Sequence, residues 1–494
     1  MPNKLRISQK GINWPVNPMS SSYPTESTNL LRAETVPPTI LPRVLKRFDM
    51  VTIYFSIIFG SYGAAQLAAQ GWAGIPMLLL AAVTFLLPCA LGAYELGTLF
   101  PSEGGIYVWA RKTLGPVHGF IAGWLSWIPI FLLLPLDASV IVAHIQYALG
   151  QEWGLAVQVA AQIGYVWLLM IVCALRLRIS QSIVNIMFFV AMGIAVTVLI
   201  AGFMHGAPVT PIDREIFSLD LGKYGFLYSA AVLWLLGVEV PFNVGAEFSD
   251  HKKTGRTMFT WGTLALVLGY GMGIVGILFS SSVGTIDQTT GISRAVATIS
   301  PVAGTAVAIA TSLAAFAQAT TAMNAYSRLL FIGGVEERLP RLMMRVSRLA
   351  KTPWPAMVVQ AIGGTIVILI FATQTKLVVT FNLYLAALVA VWCASLFYVY
   401  IGLIRARKRY SVLYEERRSD IWNIPGGKVG LWACVVGGTF FNALAIYFVF
   451  AKPWVEGIAL AEWRLWLGVT CAVITGIGII VYRFGERYEK KETT

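Results

Sequence analysis

Charge is what this chain has least of. Only 12% of its 494 residues are Asp, Glu, Lys or Arg, against about 25% in a soluble protein. Most of its surface must therefore face something other than water, which excludes an ordinary soluble enzyme or binding domain. Cysteine is scarce as well. The five, at 89, 173, 393, 434 and 471, lie in or beside apolar runs and form no CxxC pair. That pattern argues against a disulfide framework or thiolate metal site and fits small core hydrophobes. HExxH, GxSxG and GxxxxGK[ST] are all missing, and the stretches between apolar runs are too short for a catalytic domain, so no enzyme and no cofactor are expected. Before Met50 there is no apolar core of signal-peptide type. Residues 1–48, with Ser20, Ser21 and Ser22, prolines and scattered Lys and Arg, read as a flexible cytoplasmic tail.

What the chain does have is apolar length. Hydrophobic residues make up 57% of it, in runs that reach the roughly 20 residues needed to cross a bilayer. Twelve predicted spans follow, at about 50–70, 74–100, 119–149, 155–175, 180–204, 225–247, 258–282, 303–333, 354–374, 378–403, 430–451 and 463–482. An even number puts both termini on one side. The loops of the other side hold six of the 37 Lys and Arg, namely Arg214, Lys223, Arg294, Lys376, Lys452 and Arg464. The positive-inside rule then predicts cytoplasmic termini in a plasma or inner membrane. It also accounts for the net charge of +13 without a nucleic-acid partner.

Two spans carry interruptions that a plain anchor would avoid. Span 1 contains Gly60, Ser61, Tyr62 and Gly63, and span 6 contains Gly237, Glu239 and Pro241. Pro removes a helical hydrogen bond and Gly weakens a helix interior. In lipid such backbone survives only where protein or a water-filled cavity satisfies it. The two spans are five apart, an odd number, so the halves they open would have opposite orientation. Matching interruptions in two halves point to an inverted-repeat transporter with its site at the midplane. The plainer alternative is that Gly and Pro are common in membrane helices.

Three blocks carry a family resemblance. GAYELGTLFPSEGGIYVWARKTLGP (92–116), LGVEVPFNVGAEFSD (236–250) followed by HKKTGR, and NAYSRLLFIGGVEERLP (324–340) resemble, in order, motifs of the amino acid–polyamine–organocation permeases. The chain looks most similar to the glutamate/GABA-antiporter and polyamine-uptake groups. The resemblance implies an all-α polytopic membrane protein of LeuT type, with a 5+5 inverted repeat, discontinuous helices 1 and 6, and helices 11 and 12 outside the repeat. The implied division is a core at 49–404 with repeats at about 49–204 and 225–404, helices 11 and 12 with their preceding loop at 405–482, and a cytoplasmic tail at 483–494.

There are departures. The family often has Gly-x-Gly in helix 1, where free amides hold a substrate carboxylate; here Tyr62 intervenes. Proton-coupled members often carry a Lys in helix 5, but RISQSIVNIMFFVAMG has none, and the matching position is about Ala191. Lysine-based proton coupling is therefore not expected. The family's Arg-Asp-Gly after helix 8 becomes Val335-Glu336-Glu337.

Acids inside spans are costly and usually functional or paired. Glu95, Asp137 and Glu239 are the three. Glu239 is the leading candidate for binding an ammonium or carrying a proton, against a structural role capping the half-helix. Asp137, in span 3, is a second candidate for either task. Glu95 reads as structural or part of an inner gate. Tyr62, Trp234 and Tyr384 are candidate aromatic gates. Thr320 and Thr321 form a weak candidate sodium site, although adjacent threonines in membrane helices more often bond their own backbone. His144 reads as a satisfied core residue. The substrate site is thus expected from Gly60, Ser61, Tyr62, Gly63, Trp234, Gly237, Glu239 and Asp137. The expected function is secondary transport of an amino acid or related amine by alternating access, as exchanger or proton-linked symporter. Polyamine or organic-cation uptake is the alternative, and a channel or transport-dead sensor the alternative of another class. The expected partners are the small-molecule substrate, the lipid bilayer and a second copy in a homodimer.

Overall fold

A computed structural model describes residues 30–212, 220–248, 250–373, 377–455 and 457–493. Among these described residues, eleven helical segments are long and apolar enough to cross a membrane. They are spans 1 (Arg47–Ala68), 2 (Gly71–Leu99), 3 (Pro116–Leu149), 4 (Leu155–Ala174), 5 (Leu177–Phe203), 7 (His251–Ser280), 8 (Pro301–Val335), 9 (Trp354–Ala372), 10 (Val379–Arg409), 11 (Gly427–Ala451) and 12 (Leu460–Gly485). The twelfth passage is span 6, split into an α-helix, Leu221–Leu233, and a tight 3-10 turn, Val240–Glu247. Neither half is long enough alone, which is why length and composition find eleven.

Helix contacts obey a shift of five, as an inverted repeat requires. Span 1 packs on span 7 and span 6 on span 2; span 5 packs on 7 and 8, span 10 on 2 and 3. Spans 3 and 8 pack on each other, as do 4 and 9. Even the accessories correspond. A short helix after span 2 (Gly105–Leu114) packs on spans 3 and 10, and one after span 7 (Gly291–Ala297) packs on spans 8 and 5. Spans 11 and 12 lie outside this pattern, both packing on span 10.

Burial is graded across the bundle. Within its most apolar window span 1 is 94% buried, whereas spans 4 and 12 are 17% buried. Span 1 is thus apolar because it is core, and spans 4 and 12 because they face lipid. The interruption in span 1 is sheltered on all sides, which is the condition for broken backbone at membrane depth.

Both ends of the described chain run to one face, called here the terminal face. Residues 30–48 differ from the expected loose tail. Two helical turns, Arg32–Thr35 and Pro37–Ile40, lie against this face. The Ala33 amide donates to Glu336 Oε1 at 2.8 Å, Lys112 pairs with Glu34 at 2.6 Å, and Arg32 pairs with Glu337. Residues 1–29 of that tail lie outside the described residues. At the other end the helix of span 12 continues to Thr493, because Glu, Arg and Lys in ERYEKKE are good helix formers.

The two interruptions are closed in different ways. In span 1, helix Arg47–Ile58 stops, Phe59 and Gly60 are extended, and helix Ser61–Ala68 begins. The Tyr270 hydroxyl of span 7 donates to the Ile58 carbonyl (2.8 Å) and accepts from the Gly60 amide (3.0 Å). One side chain therefore substitutes for the missing helical bonds. In span 6, Gly237 takes φ +107°, a conformation closed to other L-residues at little cost. Local bonds Val240 N to Gly237 O and Phe242 N to Glu239 O then restart the turn.

Tyr270→Phe should strand two buried backbone groups at about 1–3 kcal/mol each. A lowered unfolding temperature in detergent is expected, larger than for Tyr228→Phe, whose hydroxyl meets only the Thr84 hydroxyl. Equal unfolding temperatures in the two variants would show that Tyr270 does not hold the break.

Candidate functional site

The restart of span 1 places Tyr62 one residue inside a helix N-terminus, from which its hydroxyl reaches span 3 and donates to Asp137 Oδ1 at 2.9 Å. Its ring meets Trp234 edge-on, with centroids 5.1 Å apart and planes at 89°. Trp234 is the residue where the first half of span 6 ends. Aromatics from the two interruptions therefore touch, as expected for two half-helices that share a site, and Asp137 joins them. Gly60 and Gly63 create this contact. A methyl group at Gly63 would stand 2.6 Å from Trp234 Cδ2, and one at Gly60 would stand 3.1 Å from the Tyr62 ring.

Beside this cluster a small cavity is lined by Ser56, Phe59, Ser61 and Tyr62 of span 1, Ala191 of span 5, and Gln318 of span 8. Ala191 thus faces the span 1 interruption, where the resemblance led one to look for a Lys, and it is apolar. Gln318 Oε1 is buried and has no hydrogen-bond partner among the described residues.

Glu239 faces elsewhere. It is fully buried, and its Oε1 accepts from Ser126 Oγ of span 3 (3.1 Å) and from Trp392 Nε1 of span 10 (2.7 Å). Oε2 has no partner among the described residues. The residue sits at the N-cap of the 3-10 turn but makes no side-chain cap bond. The capping alternative is thus not what its side chain does. Asp137 and Glu239 are both held by neutral donors only, one on the Tyr62 side and the other between spans 3, 6 and 10.

Other candidates fall away from this centre. Tyr384 packs edge-on against Phe371 of span 9 at 4.7 Å, and the span 10 aromatic that reaches the site is Trp392, one helical face and two turns further on. Thr320 and Thr321 donate to the carbonyls of Phe316 (2.8 Å) and Ala317 (3.0 Å) one turn back; the span 8 position at the cavity is Gln318. Among the described residues no group of three or more His, Cys, Asp or Glu could hold a metal. His144 Nδ1 meets the Val140 carbonyl at 2.9 Å, but its Nε2 has no partner among the described residues. Glu95 is structural: Arg407 grips it with two bonds (2.6 and 2.7 Å), and Tyr414 Oη and the Ile424 amide complete its shell.

A second buried cluster closes the terminal face, and its acids lie outside the three weighed from the sequence. Arg328 of span 8, fully buried, donates from Nε to Glu247 Oε1 at 2.9 Å and lies 3.8 Å from Glu103 Oε1. Glu103 Oε2 accepts from the Ala246 amide at 2.8 Å. Glu103, Glu247 and Arg328 come one from each of the three motif blocks. The signal was present: each is a charged residue within one of the three motif blocks.

This is the architecture of a membrane transporter with two interrupted helices at its centre. The chain belongs to the amino acid permease family, whose profile matches residues 45–481. It is 22% identical over 400 residues to an uncharacterised transporter of Legionella pneumophila, covering 78% of this chain and 85% of that one. It is 24% identical over 259 residues to a probable agmatine/putrescine antiporter of Lactococcus lactis, 49% of this chain and 54% of that one. It is 23% identical over 421 residues to a polyamine transporter of Arabidopsis thaliana, 79% and 76% of the two chains. Among solved structures, a manganese transporter of Eremococcus coleocola superposes with TM-score 0.58 at 14% identity, covering 90% of this chain and 97% of that one. At that identity the likeness concerns the fold alone.

Gly63→Ala should force the Trp234 indole aside at about 1–3 kcal/mol, the usual cost of overpacking. The expected result is a lower unfolding temperature in the wild-type background and little further loss when Gly63→Ala is made in a Trp234→Ala background. If Gly63→Ala lowers the unfolding temperature equally in both backgrounds, the Gly63–Trp234 contact is not the cause.

Proposed function

We propose that this protein carries a small amine-bearing solute, an amino acid or a related amine, across a cell membrane by alternating access, with both termini in the cytoplasm. The observation that carries the reading is the pair of buried carboxylates at the centre. Asp137 is bound by Tyr62 and Glu239 by Ser126 and Trp392, and among the described residues no cation pairs with either one. A buried carboxylate without a cation is costly unless it is protonated or finds a positive partner. An ammonium group supplies that partner, and Tyr62 and Trp234 supply faces for cation–π attraction. A carboxylate on the solute would meet the amides at the start of helix Ser61–Ala68, where a helix N-terminus favours anions.

Polyamine or organic-cation uptake is the second reading, and one feature favours it. The Gly60 amide is already taken by Tyr270 and bulky Tyr62 stands in the cradle, so the site offers more to a second ammonium than to a carboxylate. Relatives named as a polyamine transporter and an agmatine/putrescine antiporter agree with it. Proton linkage, on either reading, would run through Glu239 or Asp137, since Ala191 cannot provide it.

A thermal-shift panel of amino acids and polyamines, with and without sodium, distinguishes the two, because a ligand of the folded state raises its stability by mass action. Saturable flux stimulated by counter-substrate in proteoliposomes separates a transporter from a channel, and any such flux excludes a transport-dead sensor.

Glu239→Gln is a clean test of the charge. A Gln oxygen can accept from both Ser126 and Trp392, so the fold should persist. Transport should fall about tenfold or more, the worth of one charge-assisted contact. Wild-type transport by this variant at every pH would remove Glu239 from the mechanism.

A further inference from the structure

The terminal-face cluster holds two carboxylates and one guanidinium with almost no access to solvent. Glu103 and Arg328 are fully buried and Glu247 is 1% exposed. If both acids were ionised the cluster would carry a net negative charge, in surroundings where an uncompensated charge is costly. Three neighbouring basic residues are committed elsewhere. Arg111, the nearest basic residue on the Gly105–Leu114 helix, is committed to Glu336 at 2.5 Å. From span 7, His251 turns its Nε2 to the Gly245 carbonyl at 2.9 Å. From the segment before span 1, Arg47 reaches Asp250. On span 8, Arg328 spends Nη1 on the Asn324 carbonyl (3.0 Å) and Ser327 Oγ (3.2 Å).

The oxygens also call for a hydrogen. Glu103 Oε1 and Glu247 Oε2 are buried with no donor among the described residues. The two carboxyl groups converge on one Arg328 Nε, Glu247 Oε1 at 2.9 Å and Glu103 Oε1 at 3.8 Å, and two carboxylates crowded in this way can bond each other only with a proton between them. Burial first, and then the neighbouring Glu247 charge, hold the Glu103 carboxyl well above the ordinary range against the pull of Arg328.

We propose that Glu103 and Glu247 share one proton beside Arg328, so that closing the terminal face takes up a proton and opening it returns one to the same side. One O–H bond forms on closure, with a proton from solvent on that side. On opening, the loop bearing Glu103 parts from span 6, Arg328 stays with one carboxylate, and the other releases the proton to water. The closed state binds the proton above the ordinary carboxyl range, so its stability is full at acidic pH and is lost as pH rises through the pair's own titration. Acid on the terminal side therefore favours the closed face. The shared proton stands independently of the function; its link to opening rests on the transport reading above.

The test uses the full chain. Glu103→Gln keeps the geometry, since its oxygen can accept from the Ala246 amide and its NH2 can occupy the place of the shared proton; Glu247→Gln is the second variant should the first not fold. At neutral pH, the infrared difference between wild type and variant should contain a protonated-carboxyl stretch. The unfolding temperature of wild type should fall relative to the variant from mildly acidic to mildly alkaline pH. In proteoliposomes with pH set separately on each side, exchange by wild type should respond to pH on the terminal side and exchange by the variant should not. Absence of the carboxyl stretch, with parallel stability profiles, overturns the shared proton. The stretch with robust exchange but identical pH responses overturns its link to opening. The stretch with no exchange by any preparation leaves the proton site standing and overturns the transport reading instead.

Discussion

A backbone amide or carbonyl in hydrocarbon must have a partner, and this requirement organises the molecule. A helix satisfies it locally, as in ten of the twelve passages made by the described residues. The two passages that stop being helical need outside help, and the rest of the bundle is arranged to give it. Span 1 is surrounded, and Tyr270 arrives from span 7 to bond Ile58 and Gly60. Span 6 turns on a glycine with positive φ and is enclosed by spans 2, 3, 8 and 10. The periphery, spans 4 and 12 above all, exists to keep lipid away from these places.

The sheltered backbone brings side chains together in two layers. In the middle, Tyr62, Trp234 and Asp137 form one contact set and Glu239, Ser126 and Trp392 another. The two acids are not duplicates, since one belongs to the span 1 interruption and the other to the seam between spans 3, 6 and 10. Nearer the terminal face, Arg328 gathers Glu103 and Glu247, and outside it Glu336 binds both Arg111 and the Ala33 amide. The departure from the family pattern at Val335-Glu336-Glu337 thus has a structural use: it receives the segment before span 1.

Much of this was legible in the sequence, for identifiable reasons. Spans are one-dimensional properties, readable from apolar length. The interruptions were legible because Gly and Pro act on their own backbone. Pairing is a different matter. Arg328 and Glu247 are 81 positions apart, and Tyr62 and Asp137 are 75 apart; nothing along the chain announces such meetings. Glu103 escaped because it lies between apolar windows, and Glu247 because it is the last residue of one (225–247) and was not counted as buried. Tyr384 lies about two turns along its helix from Trp392, and the Thr320–Thr321 pair was misdirected by rotation. A helical residue faces its site or not according to 100° per position, and two residues off, as Gln318 is from Thr320, is a different side. Residues 30–48 looked loose because polar composition says nothing of a docking partner.

One small contact ties the two interrupted helices together beyond the site itself. The Leu45 amide, just ahead of span 1, bonds the Glu247 carbonyl at the end of the span 6 turn at 3.1 Å, and Leu45 pairs with Phe248 as in a sheet. The terminal halves of spans 1 and 6 are therefore yoked at their outer ends by main-chain bonding, while the other two half-helices touch through Tyr62 and Trp234. Displacing one terminal half must break that bond or carry the other along, a coupling that resides in the backbone and would survive wide change in the side chains around it.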